Sequence, residues 1–175
     1  MNNLTDSILH DPQLAVAFLV FLVSLTAIAI SLISLYWQRT HNRKSVKPIG
    51  IITLSDYEDL LGIKIQNAGV GPLIFKSITT VNEEGKSKDY PIDWMPSGII
   101  WSDVRRELEN HSIVPGDIAV LLEYEVDLND SKSKKTRDTI RSILKDLRGI
   151  VKYTDVYEKK IFSADRSLDW FGRNL

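Results

Sequence analysis

The chain has 175 residues, with 22 lysines and arginines against 23 aspartates and glutamates, a formal charge of -1 and no cysteine. That balance excludes a dedicated duplex nucleic-acid binder, which needs a strongly basic surface to neutralise phosphates. The missing thiols remove disulfides, thiolate zinc sites and cysteine nucleophiles, and they suit a domain in the reducing cytosol.

The first element is Leu14–Trp37, LAVAFLVFLVSLTAIAISLISLYW, inside a run of 27 uncharged residues between Asp11 and Arg39. At about 1.5 Å of rise per residue, 24 helical residues reach roughly 36 Å, enough to cross a hydrocarbon core of about 30 Å. Only a helix satisfies its own backbone there, so a transmembrane helix is predicted over 14–37. Residues 1–13 hold two aspartates and no lysine or arginine, whereas Arg39, Arg43, Lys44 and Lys47 follow the span. Cations near a span stay in the cytosol, so the N-terminus is expected outside and the C-terminus inside. Tyr36 and Trp37 fit an interfacial aromatic belt. A cleaved signal peptide needs basic residues before a shorter apolar core and a small-residue cleavage site, and these are missing.

Along the span Ser24, Ala27, Ser31 and Ser34 fall three, four and three apart, on one helical face. Small residues on such a face let membrane helices approach closely, so this is the candidate oligomer face. The simpler reading is that the serines bond back to their own helix.

The predicted organisation is a short extracytoplasmic N-terminus (1–13), the span (14–37), a basic juxtamembrane linker (38–46) and a cytoplasmic domain (47–175). VKPIGIITLS (46–55) reads as a strand, and LLGIKIQN has the period-two alternation of a second. AGVGP (68–72) is a turn in which two glycines allow positive φ and Pro72 sets the next step. LIFKSITTV (73–81) is a β-branched strand, and NEEGKSK is a polar turn after it. Trp94 and Trp101 lie in a segment broken by prolines, and SDVRRELEN (102–110) reads as a short helix capped by Ser102. IVPGD is a turn, and IAVLLEYEVDL (118–128) is a long strand with a buried centre. From Ser131 to Arg148 the period becomes helical, with Ile140, Ile143, Leu144 and Leu147 as the apolar stripe and Gly149 as the residue just past its end. A last hairpin, with its turn near 155–158, brings Ile161 and Phe162 back, and Trp170 and Phe171 near the C-terminus are expected to dock. The fold class is thus a single N-terminal transmembrane helix plus a mainly-β soluble domain, a β-sandwich with one late amphipathic helix.

The run IKIQNAGVGPLIFKSI resembles the Asn-x-Gly-x-Gly-Pro corner of small bacterial single-span membrane proteins with a cytoplasmic immunoglobulin-like sandwich. VPGD and VKYTDVYEKKIF are similar to the same pattern. The resemblance implies that Asn67, Gly69, Gly71 and Pro72 shape a turn, an immunoglobulin-like domain and a place in the bacterial inner membrane. It implies no activity.

Chemistry is sparse. His111 beside Glu109 and Asp117 suggests a carboxylate-oriented base, but a solvated loop histidine is simpler because hydrolysis needs three convergent groups. Glu123, Glu125 and Asp127 share a strand face that suits at best a hard cation, and a solvated face is the simpler reading. Gly69 and Gly71 lack the further glycines and following helix of a phosphate loop. No catalytic residue, metal or cofactor is expected.

Charge is segregated instead. Asp103–Asp130 holds eight acidic and two basic residues, whereas Lys132–Arg148 holds seven basic and two acidic. Three accounts stand: intramolecular or surface charge pairing, as with the acidic segment, a basic helix facing anionic lipid, or a grip on a phosphorylated ligand such as a cyclic oligonucleotide. For the third, the candidate ligand-binding residues are Lys134, Lys135, Arg137, Arg141 and Lys145. Two function classes follow. One is a non-enzymatic membrane sensor or effector whose homo-oligomerised span responds to the ligand, a layout shared by small anti-phage effectors that answer cyclic nucleotides. The other is a passive tether for a cytosolic protein partner.

Overall fold

The computed structural model describes residues 12–173. The segment expected outside the membrane over 1–13 lies, up to residue 11, outside the described residues. Two compact units are present, one up to Lys44 and one from Ser45 onward.

The first is one helix, α1 (Pro12–Ser45), of which Pro12–Asn42 is long and apolar enough to cross a membrane, with no residue of its apolar window buried. The segment 38–46, expected as a linker, continues α1 as far as Ser45. The physical reason is that QRTHNRKS contains no helix breaker, and the first one is Pro48.

The second unit contains β1 (Gly50–Asp56), β2 (Leu60–Asn67), β3 (Leu73–Asn82), β4 (Ser87–Lys88), β5 (Asp103–Val104), β6 (Ser112–Ile113), β7 (Ile118–Glu125), α2 (Ser131–Leu144), β8 (Leu147–Thr154) and β9 (Ile161–Ser167). Short 3-10 turns lie at Pro91–Trp94 and Asp169–Gly172. Two antiparallel sheets form, in the orders β1-β2-β7-β5 and β4-β3-β8-β9, with β6 also on β3. Inward residues of both sheets share one core: Ile52, Ile63 and Ile65 from the first, Phe75, Ile78 and Val151 from the second. Burying each such side chain contributes about 1.5–3 kcal/mol, which is what holds the layers face to face. Ile140 and Leu144 of α2 complete the core together with Leu168 and Phe171. Phe171 therefore docks as expected, whereas Trp170 stays half exposed under the Arg173 guanidinium, 3.7 Å from the ring centre.

Three expectations change. The helix expected over 102–110 is not formed. Ser102 donates its N–H to Glu123 O (3.0 Å), its Oγ accepts from Glu125 N (2.8 Å), and Asp103–Val104 pairs with β7. Nine residues make a marginal helix in isolation, and the free edge of β7 offers the backbone partners directly. Gly149 is not a helix cap but a residue of β8 opposite Thr80 and Arg166. Leu147 fits both the helical stripe and the strand alternation, and the inward series Leu147, Gly149, Val151, Tyr153 wins. Finally, the first strand begins at Gly50 because residues 46–49 run along the glycine corner instead, with Ile49 O accepting from Ala68 N at 2.8 Å.

That corner depends on glycine for space and not for positive φ, which neither Gly69 nor Gly71 has. A Cβ on Gly71 would lie 1.8 Å from Val46 O, and one on Gly69 would lie 2.4 Å from Ile49 N, both backbone atoms. Asn67 at the end of β2 is fully buried and ties the corner together. Its Nδ2 donates to Gly71 O (2.8 Å) and Ile113 O (2.9 Å), while its Oδ1 accepts from Gly69 N (3.0 Å) and Ile49 N (3.4 Å). Gly116 is the contrasting case. It has φ +84° after Pro115, and Asp117 N bonds Val114 O at 3.1 Å, a type II turn that needs glycine there.

Candidate functional site

One cleft of the β-domain lies where α2 crosses the β1–β2 turn. Asp130 caps α2, its carboxylate accepting from Lys132 N (2.9 Å) and Ser133 N (3.2 Å). Ile140 and Leu144 then fix the helix on the core, which turns Lys134, Arg137 and Arg141 to one side at helical spacing. These three, with Asp56, Tyr57, Glu58 and Leu128, line a cleft of about 690 Å³.

Its charges are already in part engaged. Arg141 is 4% exposed, and Asp56, also 4% exposed, receives its Nε at 2.8 Å and its Nη2 at 2.7 Å on Oδ1. Arg141 Nη2 also donates to Tyr57 O (3.3 Å), and Nη1 lies 3.5 Å from Asp138 Oδ1. Arg173 reaches the other oxygen of Asp56 at 3.4 Å and donates to its carbonyl at 3.0 Å. Arg141 was expected among the ligand-binding cations of the basic helix. Its burial corrects that, and it acts as a strut between β1 and α2. Arg137 is half committed, with Nε on Asp138 (3.1 Å) and Nη1 on Glu58 O (3.1 Å). Lys134 is exposed at the rim.

The other candidates separate. Lys135 is exposed and does not line the cleft, and Lys145 borders a different hollow with Arg148 and Asp169. Pairing between the acidic 103–130 and basic 132–148 segments does not occur among the described residues. The helix cations bond to Asp56, Glu58 and Asp138, whereas Glu123 takes Lys64 at 2.5 Å and Asp103 faces Arg105 at 3.8 Å. The acidic character gathers elsewhere, around Tyr90. Burial, then Asp89, Glu109, Asp93 and Glu107, push its phenol above its ordinary pKa.

His111 is exposed and holds no carboxylate partner among the described residues. Likewise no group of three histidines or acids gathers as metal ligands among them. In α1 the face Ser24, Ala27, Ser31 and Ser34 is exposed. Ser24 Oγ donates to Val20 O and Ser31 Oγ to Ala27 O, both at 2.8 Å, so these hydroxyls are satisfied within the helix and need no neighbour.

Sequence reasoning missed Asp56 and Arg173. Arg141 borders the apolar stripe, which signals a buried guanidinium, but its carboxylate lies 85 positions away in the chain. Compared with protein-family models and with curated proteins, the chain matches none.

Proposed function

We propose that the protein is a non-enzymatic, membrane-anchored sensor. In this reading α1 crosses the bacterial inner membrane once, N-terminus outside, and self-associates through Ser24, Ala27, Ser31 and Ser34. The β-domain, an immunoglobulin-like sandwich in the cytosol, takes an anionic, phosphorylated ligand in the α2 cleft. The observation that supports it is the convergence of Lys134 and Arg137 on one cleft whose floor is held rigid by Arg141 and Asp56. A phosphoryl group needs donors presented in fixed positions, and charge-assisted bonds of this kind are about twice as strong as neutral ones. The ligand-facing set is then Lys134 and Arg137, with Arg141 as the residue that positions the helix.

The test is calorimetric titration of residues 45–175, whose core is drawn wholly from residues 52–171, with a cyclic oligoadenylate as probe. Lys134→Gln and Arg137→Gln are each expected to weaken binding by about tenfold, the equivalent of about 1.4 kcal/mol. Lys135→Gln, off the cleft, is expected to leave it unchanged. Absence of binding by the parent domain would overturn the ligand reading and favour a passive tether.

For topology, a reporter active only in the cytosol is expected to work when fused after Leu175 and to fail when fused before Met1. The reverse pattern would overturn the orientation argued from Arg39, Arg43, Lys44 and Lys47.

A further inference from the structure

The end of the sandwich at which the chain arrives from α1 differs from the rest of the surface. Four loops meet there. Residues 46–49 lie against the 68–72 corner, with Val70 N bonded to Lys47 O at 3.3 Å. That corner holds the 113–117 turn through Gly116 N on Asn67 O (2.8 Å). The β8–β9 turn closes the group, Glu158 meeting Lys76 of β3 at 3.3 Å. Each loop offers an apolar side chain to solvent at its tip: Ile49, Val70 (69% exposed), Val114, Val156 and Tyr157, with Ile161 beside them. Lys47, Lys159 and Lys160 stand exposed among them, and Lys47 and Lys160 flank the Phe162 ring at 5.6 and 5.5 Å. Asp117, Asp155 and Glu158 share this end, Glu158 paired with Lys76 and Asp155 accepting from Tyr157 N.

From these features we propose that this end of the β-domain is a foot that seats in the headgroup layer of an anionic bilayer. The proposal rests on α1 spanning that bilayer. Between Trp37 and the domain only Gln38–Ser45 intervene, which at about 1.5 Å per residue is roughly 12 Å of helix. The headgroup layer is itself about 5–8 Å thick on each side, so a tether of that length ends about 4–7 Å beyond it and keeps the loop tips within reach of the headgroups. Isolated apolar tips on separate loops, one of them aromatic and interleaved with lysines, are the composition that buries shallowly at an interface while cations meet anionic lipid. A protein partner would instead be met by one continuous apolar patch with a polar rim. Seating the foot orients the sandwich, leaving the α2 cleft at the opposite end of β1 open to the cytosol.

Because the chain has no cysteine, single labels report each position cleanly. The full chain is reconstituted in vesicles of phosphatidylcholine and phosphatidylglycerol carrying nitroxides at headgroup or deep acyl positions. A polarity-sensitive fluorophore is placed in Val70→Cys, Val114→Cys, Val156→Cys, Ile100→Cys and Ile30→Cys variants. Labels at Val70, Val114 and Val156 are expected to shift to the blue and to be quenched about twofold or more by headgroup nitroxides, as groups seated at that boundary are. Ile100, 89% exposed at the far end, is expected to be unquenched, and Ile30 in α1 to be quenched by deep nitroxides. If Ile30 is quenched and the loop labels behave like Ile100, the foot is overturned while the span stands. A blue shift at the loops without lipid quenching identifies a protein contact and also overturns it. An unquenched Ile30 overturns span and foot together.

Discussion

Changing Arg141 to methionine is expected to lower the unfolding free energy of the β-domain by about 3–5 kcal/mol, the usual cost of removing one partner from a buried ion pair. The change keeps much of the side-chain volume but withdraws the donors that reach Asp56 at 2.7 and 2.8 Å. Asp56 is then left buried with its main cation gone, and Arg173 at 3.4 Å is too exposed to replace it. Urea unfolding of residues 45–175 reads the loss, and thermal unfolding is expected to fall by roughly 10–20 °C. Two further variants make the result specific. Lys135→Met, on the exposed side of the same helix, is expected to stay within about 0.5 kcal/mol of the parent. Asp56→Leu combined with Arg141→Met is expected to recover part of the loss, since a paired charge replaced by apolar groups is often near neutral. An Arg141→Met domain as stable as the parent would sink the strut assignment, and with it the argument that α2 is held for ligand by this pair.

Asn67→Ala is expected to cost about as much, by a different route. The side chain is fully buried and meets Gly71 O, Ile113 O, Gly69 N and Ile49 N. Truncation strips partners from backbone groups that water cannot reach, at about 1–3 kcal/mol each, so a total near 3–5 kcal/mol follows after partial relaxation. Asn67→Asp separates donor from acceptor roles. It retains the oxygen that Gly69 N and Ile49 N use but sets a second oxygen against two carbonyls, and it is expected to destabilise nearly as much as alanine. Measured by urea unfolding, a loss under about 1 kcal/mol for both variants would mean that the corner is held by its glycine packing alone. The glycines leave little room for relaxation, because any Cβ at Gly71 meets the Val46 carbonyl.

These two residues also mark the boundary of what local pattern reveals. Asn67 stood out from the sequence because Asn-x-Gly-x-Gly-Pro is a contiguous motif, but only Gly69 and Gly71 of its partners are local, and Ile49 and Ile113 lie 18 and 46 positions away. Even so, the reason for the glycines was misassigned. Positive φ is a local property that sequence reading can invoke, whereas the approach of residues 46–49 to the corner is a tertiary fact. Arg141 was placed on the ligand face with Lys134 and Arg137 by the same periodicity that correctly placed Ile140 and Leu144. Helical spacing gives direction around the axis, but it cannot say how deep the neighbouring sheet lies.

By itself the sequence determined the elements whose signal is short-range. An uncharged run long enough to cross a bilayer gives α1, period-two alternation gives β2, β-branched and apolar runs give β3 and β7, and the helical stripe gives α2. Only the tertiary structure decided the rest. Residues 102–110 became an edge pairing because β7 had free backbone groups to offer, a preference invisible in nine residues considered alone. Gly149 went to β8 because Leu147 satisfies two periods, and the register with β3 and β9 selects one. Asp56 acquired its function as the counter-charge of Arg141 from a distance of 85 positions. Burial of a charge is tolerated only where folding brings an opposite charge to it, and that coincidence belongs to the packed chain and to no segment of it.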